Sequence, residues 1–352
     1  MQMLNNIKRS LAQSALAQSA LALSALAAVA LASSPAQAQE KARIEWKTFH
    51  SKAMEGNLES NSADRGAYVV TPPGYDQHPE KRYPVVYFLH GYWATPQMYQ
   101  ESMKFDEAVD EAARAGNEVI MVIPDGHSKL KGGFYSSSPT VGNYEAFVGE
   151  DLVKWVDATY RTIARREARG LSGHSMGGYG TMRLGMKYPE TFSSLYAMSA
   201  CCLSPMKVDE AGAKRIEAMT EEDIAKADFG GLAQLSTLAT WSPDPTKPPK
   251  YVDTGLRADG TMDPLVNAKL AANSILAMVP QYLPALRQMK AIGLEVGDKD
   301  FLFNDNTALN AELTTYGVAH GWETYDGDHG NRIPERIRTK LLPFFAQHLA
   351  RK

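Results

Sequence analysis

The chain has 352 residues, 44% of them hydrophobic and 22% charged, with 37 basic against 40 acidic side chains and a formal net charge of −3. That length and apolar content suit one large α/β domain with a sizeable core, or two smaller ones. A mildly acidic chain without a basic patch or polybasic tail lacks the electrostatic footprint of a nucleic-acid or membrane-surface binder, and neither partner is expected.

The first predicted element is a targeting segment. Lys8 and Arg9 form a positive start, and an Ala/Leu-rich stretch over residues 11–31 follows. Ser33, Ser34 and Pro35 break the helix, and Ala36-Gln37-Ala38 fits a small-x-small cleavage site. Residues 1–38 therefore read as a secretory signal peptide cut after Ala38, which sends the mature chain to a periplasm or the medium. Gln13, Ser14, Gln18, Ser19 and Ser24 interrupt the stretch and argue against a membrane anchor, which needs about 20 mostly apolar residues. No cysteine follows the site, so lipid attachment there is not expected.

In the mature chain, residues 83–89 form a continuous apolar run, as a strand buried on both faces requires. Residues 119–123 form another, stopped by Pro124-Asp125-Gly126. Residues 169–172 are a short strand-like run, and 193–199, 292–296 and 322–325 supply three more strands. Helical patterns lie between them, over 105–115, 144–160, 179–188, 306–316 and 334–349. Such alternation predicts a mostly parallel sheet covered on both faces. Residues 203–284 depart from it, with a charged helical part at 210–226, a Pro-rich loop at 241–250 and a helix at 263–278. A structureless loop of that length is unusual, so the segment reads as a cap inserted over the strand ends of a single domain, residues 39–352.

Gly173-His174-Ser175-Met176-Gly177 reads G-x-S-x-G, set between a strand and a helix. That is the context of a nucleophile elbow, which presents one serine hydroxyl at the tip of a sharp turn. Serine needs a base, usually histidine, and the base needs a carboxylate to fix its tautomer. In a parallel α/β sheet with this elbow the order is Ser, then acid, then His. Gly297-Asp298-Lys299-Asp300 follows the strand at 292–296, and either aspartate fits. Of the eight histidines, His50, His78, His90, His127 and His174 precede or adjoin the serine, His320 precedes the last strand, and His348 lies in the final helix. His329, in the loop after the last strand, has the right order and place.

The oxyanion formed on attack needs two donors. The Met176 N–H is one, and the Tyr92 N–H, in the loop after the first core strand, is the other. Trp93 is a candidate for lining the pocket or anchoring the loop. His174, Asp125, His127 and Tyr135 are candidates for reaching substrate. Cys201 and Cys202, the only cysteines, are adjacent. They read either as small apolar residues ending a strand or as a strained, reducible vicinal disulfide. Two thiols without nearby histidines do not make a zinc site, so no metal is expected.

With these residues in view, the chain resembles the putative-esterase family of α/β-hydrolases, which includes S-formylglutathione hydrolases, secreted feruloyl and acetyl esterases, and secreted mycolyltransferases. The resemblance rests on residues 83–91, Ile123-Pro124-Asp125-Gly126, Tyr160-Arg161-Thr162-Ile163, Gly173 to Gly178, Gly297 to Leu302 and Gly327-Asp328-His329-Gly330. It covers roughly residues 51–199 and 295–345 and is weakest over the insert. It implies an α/β-hydrolase fold, a three-layer α/β/α domain with a mostly parallel central sheet, and no cofactor. It matches Ser175 to the nucleophile, Asp300 to the acid of a G-x-x-D pattern, His329 to the base, and Tyr92 and Met176 to the oxyanion donors. Asn331 stands where many relatives carry an aromatic residue, a departure on the alcohol side of the site.

The expectation is a secreted serine carboxylic ester hydrolase working through an acyl-enzyme on a small or carbohydrate-linked ester of acetyl or feruloyl type. The alternatives are an acyltransferase of the mycolyltransferase type, an S-formylglutathione hydrolase-like thioesterase, and a non-catalytic binding protein on the same scaffold. Export argues against the thioesterase, whose substrate forms in the cytosol, and a complete triad argues against the binding protein.

Overall fold

The computed structural model describes residues 40–352, so the signal segment lies outside the described residues. Residues 41–352 form one compact unit. The apolar runs become strands of an eight-stranded sheet. We number its strands β1 (Arg43–His50), β2 (Asp64–Thr71), β3 (Val85–Leu89), β4 (Ile120–Pro124), β5 (Arg169–His174), β6 (Ser194–Met198), β7 (Ala291–Gly297) and β8 (Gly321–Tyr325). Their spatial order is β1-β2-β4-β3-β5-β6-β7-β8. β1 and β2 pair antiparallel, as do β2 and β4, while β4 through β8 run parallel.

Side chains alternate across a strand, and the core divides accordingly. Val85, Tyr87 and Leu89 of β3 enter one apolar cluster, and Val86 and Phe88 enter the other. Ile120 and Val122 of β4 face the first, Met121 and Ile123 the second. The helices Phe105–Arg114 and Leu342–His348 feed Phe105, Val109 and Phe345 into the second cluster. The helix Met176–Lys187, the helical stretch 144–159 and the helix Phe303–Thr315 cover the first. This is the three-layer α/β-hydrolase architecture.

The sequence reading passes over β1 and β2. β1 carries Arg43, Glu45 and Lys47 and is half exposed along its length. It is an edge strand whose charges block further pairing, so it has no continuous apolar run to find.

The insert differs in detail from its expectation. The helix read over 210–226 breaks into Glu210–Ala218 and Glu221–Lys226. The Thr220 hydroxyl accepts from the Asp223 amide while the Asp223 carboxylate accepts from the Thr220 amide, a capping box that starts a new helix. The helix read over 263–278 breaks into Pro264–Ala272 and Ile275–Met278, where the Ser274 side chain caps the second. A helix not anticipated, Phe229–Trp241, begins at the Asp228 cap and buries Leu232, Leu235, Leu238 and Ala239. Gly230 and Gly231 in its first turn hide it from propensity. The Ser236 hydroxyl donates to the Gly132 carbonyl at 2.6 Å, and the Ser138 hydroxyl to the Ala239 carbonyl at 2.6 Å. These bonds seat this helix against the loop beyond β4.

One buried ion pair ties β7 to the C-terminal helices. Glu295 is fully buried and accepts from Arg336 Nη2 at 2.6 Å, Arg336 Nε at 3.0 Å and the Tyr196 hydroxyl at 2.5 Å. Burial pushes its carboxyl pKa up even with the guanidinium beside it. Arg336→Met should leave that charge unpaired and lower unfolding stability by about 3–5 kcal/mol. Urea midpoints test this, and adding Glu295→Gln should recover part of the loss.

Candidate active site

β5 ends at His174, and the chain turns into the helix Met176–Lys187 through Ser175, whose φ of 59° and ψ of −116° lie outside the ordinary regions for a side-chain-bearing residue. A Cβ on Gly177 would sit 1.9 Å from the Leu89 carbonyl oxygen, so only glycine admits β3 this close. The Ser175 amide donates to the Met198 carbonyl at 3.0 Å, and the Ser175 carbonyl accepts from the Cys201 amide at 3.1 Å. The strained residue is thereby held between β3 and the end of β6.

The Ser175 hydroxyl lies 3.0 Å from His329 Nε2, and His329 Nδ1 lies 2.9 Å from Asp300 Oδ2. With the ring proton on Nδ1, that N–H donates to the carboxylate and Nε2 accepts the serine proton. Asp300 is 5% exposed. Burial raises its pKa, but the hydrogen bonds from His329 and from the Leu302 amide outweigh it and hold the carboxyl below its usual range. Of the two aspartates open in the sequence, Asp300 meets the imidazole. Asp298 accepts from the Gly327 amide at 3.1 Å and shapes the histidine loop.

A depressed carboxyl pKa has a stability consequence. Its contribution is present above the unfolded value, about 3.9, and is lost as pH falls through the lower folded value. Urea titrations below about pH 4 should therefore show wild type losing stability faster than Asp300→Asn, which has no carboxylate to protonate at this position.

Gly91 brings the loop after β3 over the serine. A Cβ there would lie 3.4 Å from Ser175 Cβ and 2.6 Å from the Tyr99 hydroxyl. The amides of Tyr92 and Met176 donate to no protein acceptor among the described residues, which leaves both available to a ligand oxygen. The loop is fixed from behind. The Tyr92 hydroxyl donates to the Leu130 carbonyl at 2.8 Å, and His90 Nε2 accepts from the Gly126 amide at 2.9 Å. Burial pushes the His90 pKa down to about 4, which keeps it neutral and able to accept.

Ser175 opens on a cavity of about 520 Å³ walled by Tyr92, Phe134, Phe229, Leu238 and Phe301. That is the size of a small-molecule site. Phe301 is 78% exposed, with its ring centroid 4.7 Å from that of His329. Cys201 and Cys202 form another part of the wall and are free thiols.

Several residues read as substrate contacts stand elsewhere. Tyr135 is fully buried and donates its hydroxyl to the His90 carbonyl at 3.0 Å. Asp125 and His127 border a separate cavity with Trp46 and Tyr68. His174 is buried with both ring nitrogens occupied. Burial, with the nearby His329, pushes its pKa down to about 3. The neutral ring donates from Nε2 to the His329 carbonyl at 2.7 Å, and Nδ1 accepts from the Tyr99 hydroxyl at 2.7 Å. It is a strut under the histidine loop. Trp93 packs its ring 5.8 Å from Phe229 beside the cavity and does not line it. The insert residues of the wall, Phe229 and Leu238 above all, escaped the sequence reading because their helix did. Among the described residues, no group of three or more His, Cys, Asp or Glu could hold a metal ion.

Comparison with known proteins follows the same lines. The chain is 35% identical over 133 residues to an esterase of Mycobacterium tuberculosis, covering 37% of this chain and 27% of that one. It is 28% identical over 119 residues to an acetyl esterase of Caldicellulosiruptor saccharolyticus, covering 34% and 41%. The matches thus span well under half of those relatives. A ferulic acid esterase structure superposes with a TM-score of 0.63 at 23% identity, covering 88% of this chain and all of that one. The Staphylococcus aureus fluorophosphonate-binding serine hydrolase F gives 0.61 at 15% identity, covering 87% and 99%. An S-formylglutathione hydrolase from Agrobacterium tumefaciens gives 0.59 at 17%, covering 88% and 96%. At these identities the structures establish the α/β-hydrolase fold. The model of the family described as "Putative esterase" matches residues 58–333. That match takes in the loop after β3, the elbow and the loops bearing Asp300 and His329 in one stretch, and the chain belongs to this family.

Proposed function

We propose that this protein is an exported serine carboxylic ester hydrolase with Ser175, His329 and Asp300 as its triad. The observation that carries the reading is the hydrogen-bonded line from the Ser175 hydroxyl through His329 to Asp300, at 3.0 and 2.9 Å, on the wall of an apolar cavity. Ser175 Oγ attacks the ester carbonyl as its proton passes to His329 Nε2. The Tyr92 and Met176 amides hold the oxyanion. Collapse breaks the bond to the alcohol, which leaves with the proton from His329. Water then gives its proton to His329, attacks the acyl-enzyme, and releases the acid and Ser175. Asp300 stays ionised throughout and steadies the imidazolium.

The cavity supports an acid larger than formyl or acetyl, because so small a group would leave most of its aromatic wall untouched. An arylalkenoyl ester of feruloyl type on a carbohydrate fits that volume and is consistent with the ferulic acid esterase among the structural neighbours. Export rests on Lys8, Arg9, the apolar stretch and Ala36-Gln37-Ala38. No helix among the described residues is long and apolar enough to cross a membrane. A fluorophosphonate probe should label Ser175 in the purified protein, and an ester panel should favour feruloyl over acetyl and S-formyl substrates. An unlabelled, folded protein would sink the reading.

A further inference from the structure

Among the described residues, the wall of the Ser175 cavity contains no acidic side chain and two cations, Lys207 and Arg215. Both are exposed to solvent. Lys207 precedes the helix Glu210–Ala218, and Arg215 stands within it. Arg215 Nη2 donates to Gln234 Oε1 of the helix Phe229–Trp241 at 2.6 Å, which holds the guanidinium across the gap between the two helices. Neither cation meets a carboxylate among the described residues. Lys214, one residue from Arg215 and not part of the wall, pairs with Glu210 at 2.5 Å, as surface lysines on helices commonly do. The charged side chains of the wall are therefore all positive, in a chain whose net charge is −3.

A cleft lined by one sign of charge and walled by apolar groups focuses its field on whatever enters. A guanidinium with free donors matches the two oxygens of a carboxylate, and a lysine ammonium adds a mobile point charge. We propose that this cavity selects esters bearing a carboxylate, which Arg215 and Lys207 hold while the ester carbonyl sits at Ser175. The inference rests on the hydrolase reading and deepens it by naming the substrate class. The carboxylate can belong to the acid half, as in a half-ester of a dicarboxylic acid, or to the alcohol half, as in an acidic sugar.

The test compares matched esters differing in one charge. For the acid half, the para-nitrophenyl half-ester of adipic acid is set against its terminal carboxamide. For the alcohol half, para-carboxyphenyl butanoate is set against para-carbamoylphenyl butanoate. In at least one pair the wild type should favour the carboxylate about 5–20-fold in kcat/KM at low salt, chiefly through KM. The ratio should fall towards unity in about 0.5 M salt. It should also fall to near one in the Arg215→Gln/Lys207→Gln double variant and be partly kept by Arg215→Lys. Lys214→Gln, outside the cavity wall, should leave the ratio alone. The pair that responds identifies which half carries the charge.

Calorimetric binding of the same pairs to Ser175→Ala separates the two readings. If that protein binds the carboxylated ester more tightly although the wild type hydrolyses neither, the hydrolase reading fails and charge selection stands. If both members of each pair are hydrolysed and bound equally, or the double variant keeps the wild-type ratio, charge selection is wrong.

Discussion

Ser175→Ala should lower kcat for an aryl ester by about 10⁴–10⁶-fold and remove the acylation burst. The hydroxyl is the one group at the elbow able to form a covalent bond with the acyl carbon, and its removal leaves only the cavity and the two amides to act on bound ester. His329→Ala should cost nearly as much, because without Nε2 at 3.0 Å the serine proton has no acceptor. The double variant should be little worse than either single one, since the two side chains act as a unit. Circular dichroism should show an unchanged fold, and stopped-flow release of the aryl alcohol measures the burst. A Ser175→Ala protein retaining a tenth of wild-type turnover would place the chemistry elsewhere.

The second large effect is expected at Asp300. Asp300→Asn should reduce kcat by about 10⁴-fold with KM little changed. The carboxylate accepts the Nδ1 proton at 2.9 Å, which leaves Nε2 free to take the serine proton. An amide can instead present its N–H₂ to Nδ1 and drive the ring proton to Nε2, where it opposes Ser175. Lost carboxylate charge also leaves the imidazolium without its counter-ion. KM should hold because Asp300 does not line the cavity. Asp298→Asn is the contrasting variant. Among the described residues its side chain accepts only the Gly327 amide, which an amide oxygen can also do, so its activity should fall far less.

His174 shows how far a motif can be read. Its place beside Ser175 suggests contact with substrate, yet its ring faces away from the cavity, between Tyr99 and the His329 carbonyl. Nothing local announces this, because the partners lie 75 and 155 residues away. Tyr135 is similar. A tyrosine on a loop after β4 could reach a ligand, but it packs behind the loop after β3 and donates to the His90 carbonyl.

The central strands were legible because burial on both faces writes itself as an unbroken apolar run, visible in residues 83–89 and 119–123 without any knowledge of neighbours. That Ser175 and His329 would meet was legible because the elbow demands small residues at set positions and the fold brings the loops at its strand ends together in one order. Edge strand β1 and the helix Phe229–Trp241 left weaker marks, since the first is half solvated and the second opens on two glycines. The resemblance pointed to Asp300, but the tertiary structure decided how Asp298 is used instead, which side chains wall the cavity, and that two cations with no carboxylate partner among the described residues share that wall with Ser175. Each depends on distances across segments far apart in the chain, and local propensity carries no record of what those segments will meet.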